Sequence, residues 1–149
     1  MPLTSIEKRY VMREAARWAS LAVVLNLVWE IGQLPLYTIY RADPETITYA
    51  VIHCTIGDML IALASYGIAV VATRSGRWPI ERPMSGVAIA VSAGLLYTVF
   101  SEWLNVSVRG SWEYASAMPT VYGIGLSPVL QWLIVPITML FIMRRPEKG

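Results

Sequence analysis

Four long apolar stretches constrain the fold of this chain more than any other feature. They cover residues 18–40, 47–73, 84–108 and 120–143. A helix needs about 20 mostly apolar residues to cross about 30 Å of hydrocarbon, and each stretch meets that length. Because backbone groups inside lipid must hydrogen-bond within their own segment, each stretch is expected to be a helix. The sequence predicts an all-α, four-helix transmembrane bundle that forms a single domain over residues 1–149.

Composition supports a membrane solvent. Hydrophobic residues make up 56% of the chain and charged residues 15%, whereas soluble domains carry about 25% charge. The variety of residue types within each stretch argues against the alternation of a membrane β-barrel. The net charge of +2 arises from basic residues that flank the spans. We therefore expect the lipid bilayer as a partner and no nucleic acid.

The basic residues predict an orientation. Of the 12 lysines and arginines, all but Arg41 and Arg109 flank the spans on one side, in segments 8–17, 74–82 and 144–148. Segments rich in lysine and arginine remain in the cytoplasm. The sequence therefore predicts a multi-pass protein of a bacterial inner membrane with both termini in the cytoplasm.

Polar side chains interrupt the first span in the stretch "NLVWEIGQLPLY". Asn26, Glu30, Gln33 and Tyr37 recur at the spacing of one helix face. No small-residue cleavage site follows, so the segment is expected to be an uncleaved span and not a signal peptide. A charged side chain at mid-membrane costs at least about 2.5–3.5 kcal/mol on insertion scales. The stripe therefore predicts a polar site inside the bundle.

The other three spans carry polar residues at similar depths. The stripes of the third and fourth spans are Thr98, Glu102, Asn105 and Arg109, and Gly123, Ser127 and Gln131. In the second span, His53 and Asp58 lie about 140° apart around the helix, so they do not project together. With the predicted orientation, these groups share the outer half of the bundle. We expect a polar pocket open toward the periplasm.

Four ionisable residues are the candidate catalytic groups, namely Glu30, His53, Asp58 and Glu102. Two carboxyl groups and a histidine can divide acid and base roles when their environments differ. His53 is the expected proton shuttle. Glu30 or Asp58 is the expected base or cation stabiliser, and Glu102 the second acid.

The candidate binding residues are polar or aromatic groups near the same depth. They are Gln33, Tyr37, Asn105, Arg109, Trp112, Tyr114, Ser127 and Gln131. Arg109, Trp112, Glu113 and Tyr114 are expected to form a lid or rim. The leading hypothesis is a small membrane enzyme or binding protein for a lipid or other hydrophobic molecule that enters from the side.

Metal assistance is left open. Glu30, His53, Asp58 and Glu102 together form a mixed oxygen and nitrogen set that would suit zinc, iron or manganese. No recognised ligand spacing such as H-E-x-x-H is present. The single His53 excludes bis-histidine haem within one chain, and the single Cys54 excludes c-type haem attachment.

Two other functions remain as alternatives. Protonatable carboxyl groups also mark proton or cation pathways, so the chain could be a coupled transporter that works as an oligomer. It could equally be a structural or assembly subunit of a larger membrane complex, where polar stripes meet a partner. A third interpretation assigns the polar residues to helix packing alone.

Four segments carry a resemblance to known proteins: "WEIGQLPLY", "HCTIGDMLIA", "YTVFSEWLNVSVRGSWEYASAMP" and "GIGLSPVLQW". Together they resemble a family of small uncharacterised bacterial four-helix inner-membrane proteins. The resemblance extends from Asn26 to Pro136. It implies the membrane fold and brings no activity with it.

Overall fold

The structure is a computed structural model that describes residues 5–144. Arg145 and Lys148, which contribute to the predicted orientation, lie outside the described residues. The chain is mostly helical, at 82%. Four helices are long and apolar enough to span a membrane, namely Glu7–Leu36, Pro44–Thr73, Pro83–Arg109 and Leu126–Met143.

Five α-helices organise the chain. They are α1 (Ser5–Gln33), α2 (Pro44–Thr73), α3 (Trp78–Glu81), α4 (Pro83–Glu102) and α5 (Leu126–Met143). The four long helices form a closed ring in which α1 contacts α2 and α5, and α4 contacts α2 and α5. The short α3 lies in the connection between α2 and α4.

Irregular elements lie at the opposite end of the bundle from α3. After α1, the chain forms two 3-10 turns, Leu34–Leu36 and Thr38–Arg41. α4 continues without a break into a π-helical segment, Trp103–Arg109. A hairpin of strands β1 (Thr120–Val121) and β2 (Ile124–Gly125) then leads into α5.

The boundaries of α2 follow from local chemistry. The Asp43 side chain caps the N-terminus by accepting a hydrogen bond from the Thr46 backbone N–H at 3.0 Å, and Pro44 occupies the first turn. Its hydrogen bonds to Thr46 lower the pKa of Asp43. At the other end, Arg74 adopts a left-handed conformation with φ of 53°, which terminates the helix.

Two helix ends differ from the predicted span limits. The fourth span was predicted from residue 120, but residues 120–125 form the hairpin, and its turn places Tyr122 and Gly123 at positive φ (50° and 79°). The first span was predicted to continue to residue 40, but α1 ends at Gln33. A proline disfavours the helical conformation of the residue before it, so Pro35 explains why α1 ends here.

Three aromatic rings fill the end of the bundle near α3. We call Trp18, Tyr66 and Trp78 the aromatic cluster; their ring centroids lie 5.4–5.8 Å apart. The Trp18 indole N–H donates to the Ala62 carbonyl at 3.1 Å. A Cβ atom at Gly86 would lie 2.0 Å from a Trp78 ring carbon. The glycine therefore permits α4 to approach this cluster closely.

Apolar packing continues from the aromatic cluster toward the middle of the bundle. Small residues of three helices, Ala22, Ala69 and Ala90, are buried there with Met139 and Trp132. Density of this kind leaves little free volume between the helices. The space that remains lies farther along, toward the hairpin.

Candidate functional site

The Gln131 side chain lies at the centre of the polar end. Its Nε2 donates to Asn26 Oδ1 at 2.9 Å, Asp58 Oδ2 at 2.9 Å and Glu30 Oε1 at 3.3 Å. An amide nitrogen carries two hydrogens, so three acceptors share two donors. The shortage leaves the carboxyl oxygens able to accept further hydrogen bonds.

Glu30 of α1 and Asp58 of α2 form a carboxyl pair. Both side chains accept a hydrogen bond from Gln131 Nε2, so their oxygens lie close together. Two adjacent carboxylates repel, and a proton on one of them removes that repulsion. The carboxyl pair is therefore an arrangement that can share one proton.

A directed chain of donors reaches the carboxyl pair from the outside of the bundle. The Trp29 indole N–H donates to Ser127 Oγ at 3.2 Å. Ser127 donates to Gln33 Oε1 at 2.7 Å, and Gln33 Nε2 donates to Glu30 Oε1 at 2.8 Å. Each donor points toward Glu30, so the chain stabilises negative charge on that carboxyl group.

Glu102 occupies a separate setting at the end of α4. The Tyr114 hydroxyl donates to its carboxylate and accepts the Gly125 backbone N–H at 2.9 Å. Burial, together with the bond to Glu102, raises the pKa of Tyr114, so this hydroxyl stays protonated as a donor. Trp112 lies beside the same carboxylate, and its buried indole N–H has no hydrogen-bond partner among the described residues.

The loop that carries Tyr114 is fastened to the exit of α1. Tyr37 and Tyr114 form an isolated bridge with ring centroids 5.5 Å apart. The Ala115 N–H donates to the Leu36 carbonyl at 2.9 Å. Glu113 is exposed, and its contribution is a backbone carbonyl that accepts from the Thr38 N–H at 2.9 Å. The loop thus closes one side of the polar region.

A cavity of about 660 Å³ lies between α1, α2, α4 and α5 at this end. All of the predicted catalytic and binding residues line it except Tyr114 and Ser127. Pockets that hold small molecules measure about 300–1,000 Å³. Both carboxyl sites therefore face one volume of ligand size.

His53 lies apart from the carboxyl pair. It is exposed on the cavity wall and stacks on Tyr49, with centroids 5.7 Å apart and planes at 17°. Among residues 5–144, no group of three or more histidine, cysteine, aspartate or glutamate side chains is placed to hold a metal ion. The candidate ligands Glu30, His53, Asp58 and Glu102 are thus not brought together as one set.

In three of the predicted stripes, some residues lie outside the regular α-helix that was expected to carry them. Tyr37 has extended φ and ψ of −119° and 147° and lies outside α1. Gly123 lies in the hairpin turn, so it does not share a helix face with Ser127. The π-helical segment alters the spacing after Glu102, and Asn105 Nδ2 of this segment donates to the Ser101 carbonyl of α4 at 2.9 Å.

Two residues that are not among the candidate catalytic and binding residues also belong to the site. Asn26 shares the Gln131 amide with the carboxyl pair, and its place on the Glu30 stripe was the available signal. Cys54 lines the cavity. Ser127 lines a second depression of about 390 Å³ between α1 and α5, which we call the α1/α5 groove.

The carboxyl groups of the cavity have no basic partner among the described residues. The ion pairs of residues 5–144 lie at the other end of the bundle, near the aromatic cluster. They join Arg13 and Arg17 to Glu14, and Arg77 to Glu81. Removing a charge from water without pairing it is costly. The cavity therefore favours neutral carboxyl groups or a ligand that supplies the missing partner.

Comparisons with protein-family profiles, with characterised proteins and with solved structures each find no match.

Proposed function

We propose that this chain is a multi-pass protein of a bacterial inner membrane that binds a hydrophobic molecule in the interhelical cavity. The carboxyl pair holds the polar group of that molecule. One observation carries the proposal: two adjacent carboxyl groups, Glu30 and Asp58, line a cavity of about 660 Å³ and lack a basic partner among the described residues.

Proton transfer is the reaction class that this site supports best. A carboxyl pair with one proton can accept a proton from one atom of a bound molecule and return it to another. Such an isomerisation needs no second substrate and restores the pair after each turnover. Glu102, held by Tyr114, supplies a second carboxyl group in the same cavity.

The apolar half of the bundle favours binding over transport. Val135, Met139 and Leu140 are 1–5% exposed and pack beyond the cavity toward the aromatic cluster. A proton or cation path would need polar groups through this region. The cavity thus has a closed inner end.

Native mass spectrometry of protein extracted in mild detergent tests the proposal. We expect a hydrophobic molecule to copurify with the wild type and to be lost in Glu30→Gln and Asp58→Asn. Glu81→Gln is the matched control, because Glu81 is exposed and lies at the other end of the bundle. Equal retention in all four proteins would contradict the proposal.

The orientation is tested separately. We propose that both termini lie in the cytoplasm, supported by the distribution of lysine and arginine. Reporter fusions after Ala42 should give a periplasmic signal, and fusions after Gly76 a cytoplasmic one. The reverse pattern would reject the orientation and leave the cavity unaffected.

A further inference from the structure

The α1/α5 groove is an apolar depression on the outside of the bundle. It measures about 390 Å³ and includes Leu25, Val28, Leu36 and Ile134 in its lining. Val28 is 65% exposed and Ile134 48% exposed. Both helices are candidate membrane spans, so these exposed apolar side chains face hydrocarbon when the chain is in a bilayer.

Gln33 is the residue that the linings of this groove and of the cavity share. Its side chain lines both volumes. Ser127 holds the Gln33 carbonyl oxygen from the groove side at 2.7 Å, and the Gln33 amide donates to Glu30 on the cavity side at 2.8 Å. The Gln33 side chain therefore lies at the boundary between the two volumes, held by one hydrogen bond on each side.

We infer that the α1/α5 groove is the entrance through which a hydrophobic ligand passes from the lipid to the carboxyl pair, with the Gln33 side chain as a movable wall. This inference rests on the proposed function. A ligand with a hydrogen-bonding head can take over the bond that Gln33 makes to Glu30, so displacement exchanges one hydrogen bond for another. The ligand class is a molecule with a small polar head and an apolar body that remains in the groove.

The other approach to the cavity has a different chemistry. Thr46, Arg109 and Ser111 line the cavity near the loops and are exposed. Charged and hydroxyl side chains of this kind suit water and small polar solutes. The two approaches should therefore admit probes of different polarity.

Cys54 provides a built-in reporter of arrival. It is the single cysteine of the chain, and it lines the cavity. A maleimide labels it when the sulfur adds to the ring C=C bond and the thiol proton goes to the neighbouring carbon. We would compare N-cyclohexylmaleimide, which partitions into lipid, with a sulfonated maleimide that stays in water, both on protein in lipid nanodiscs.

Three glycines allow matched substitutions. An added Cβ at Gly32, Gly57 or Gly67 meets no atom within 4 Å, so the first atom of a new side chain clashes at none of the three positions. Gly32 lines the groove, Gly57 lines the cavity, and Gly67 lines neither. The same side chain is thereby added at the entrance, at the destination and at a control position.

We expect Gly32→Leu to slow labelling of Cys54 by N-cyclohexylmaleimide several-fold and to leave the sulfonated probe unchanged. Gly57→Leu should slow both probes, and Gly67→Leu neither. Gln33→Ala should speed the lipophilic probe by removing the wall. Thr138→Trp, on the α5 side of the groove, repeats the block from the other helix.

An unchanged lipophilic rate in both Gly32→Leu and Thr138→Trp would overturn the entrance. Equal slowing of the lipophilic probe in Gly67→Leu and Gly32→Leu would also overturn the entrance, because the effect would then not be local to the groove. The proposed function fails by a different observation, which is retention of the copurifying molecule by Glu30→Gln. The labelling pattern does not depend on that molecule, so the two failures are distinguishable.

Discussion

The two ends of this bundle are filled by opposite kinds of side chain. At one end, Trp18, Tyr66 and Trp78 pack ring against ring at 5.4–5.8 Å. At the other, Asn26 and Gln131 join helices through amide hydrogen bonds. Dispersion attraction is summed over many atom pairs, so it favours close packing without voids. Hydrogen bonds are directional, so the polar end fixes its geometry and still leaves a cavity.

Carboxyl groups show the same contrast. Glu14, 3% exposed, lies near the aromatic cluster between Arg13 and Arg17, at 3.2 and 3.3 Å. Glu30 and Asp58 lie next to each other and accept hydrogen bonds from side-chain amides, with no arginine or lysine in an ion pair with them among the described residues. A buried carboxylate that is paired with arginine is a completed structural unit, whereas an unpaired carboxyl group retains capacity for a ligand or a proton. The difference between the two ends identifies the polar end as the candidate site.

The largest expected effect on the free energy of unfolding is at the end of the bundle that holds the aromatic cluster. Trp78 is fully buried and lies in α3, outside the spans. Trp78→Ala should lower the free energy of unfolding by about 3–5 kcal/mol, because it removes a large ring and leaves a void. Chemical denaturation in detergent measures this change.

Trp78→Phe is the matched control. It keeps most of the ring contacts and removes an indole N–H that has no hydrogen-bond partner within residues 5–144. We expect it to cost much less than Trp78→Ala. Equal losses in the two variants would show that packing does not dominate this end.

An intermediate effect is expected at the polar end. Gln131→Leu removes the amide shared by Asn26, Glu30 and Asp58. The buried Asn26 oxygen loses its donor, whereas Glu30 keeps the hydrogen bond from Gln33. The cost should be about 1–3 kcal/mol in the same denaturation measurement. Thr138→Val is the control, because that hydroxyl bonds the Ile134 carbonyl of its own helix at 2.8 Å. A Gln131→Leu protein as stable as the control would remove the distinction between the two ends.

The smallest expected effect is a pH dependence at the loop that precedes α2. The folded-state pKa of Asp43 is lowered by its hydrogen bonds to Thr46, so the cap contributes stability above the unfolded pKa of about 3.9. That contribution is lost as the pH falls through the lower, folded value. The stability difference between wild type and Asp43→Ala should be present at pH 6 and shrink in acid. A difference that is constant or grows in acid would contradict this cap.

Hydropathy and periodicity predicted the long-range plan of the chain because lipid imposes them on every residue of a span. Four helices follow from the length of the apolar stretches. Asn26, Glu30 and Gln33 lie on one helical face, and all three join the Gln131 network or its donor chain. These features depend on spacing within one helix, which a sequence displays.

The features that sequence did not predict depend on contacts between distant segments. Tyr37 leaves the helix because it pairs with Tyr114, and the hairpin at 120–125 is joined to that loop through the Gly125 bond to Tyr114. Apolar composition alone could not separate this hairpin from a helix. The sharing of one amide by two carboxyl groups likewise needs three helices in place before it can be recognised.

The π-helical segment Trp103–Arg109 has a consequence for charge. On a regular α-helix, Arg109 would follow Glu102 at a spacing that places both on one face. The wider turns displace the arginine, which is exposed and forms no ion pair with a carboxylate in the described part of the chain. Deletion of one residue from this segment would rotate every later residue of the segment about the helix axis. Arg109 still lines the cavity, so the segment keeps the guanidinium at the cavity without joining it to Glu102.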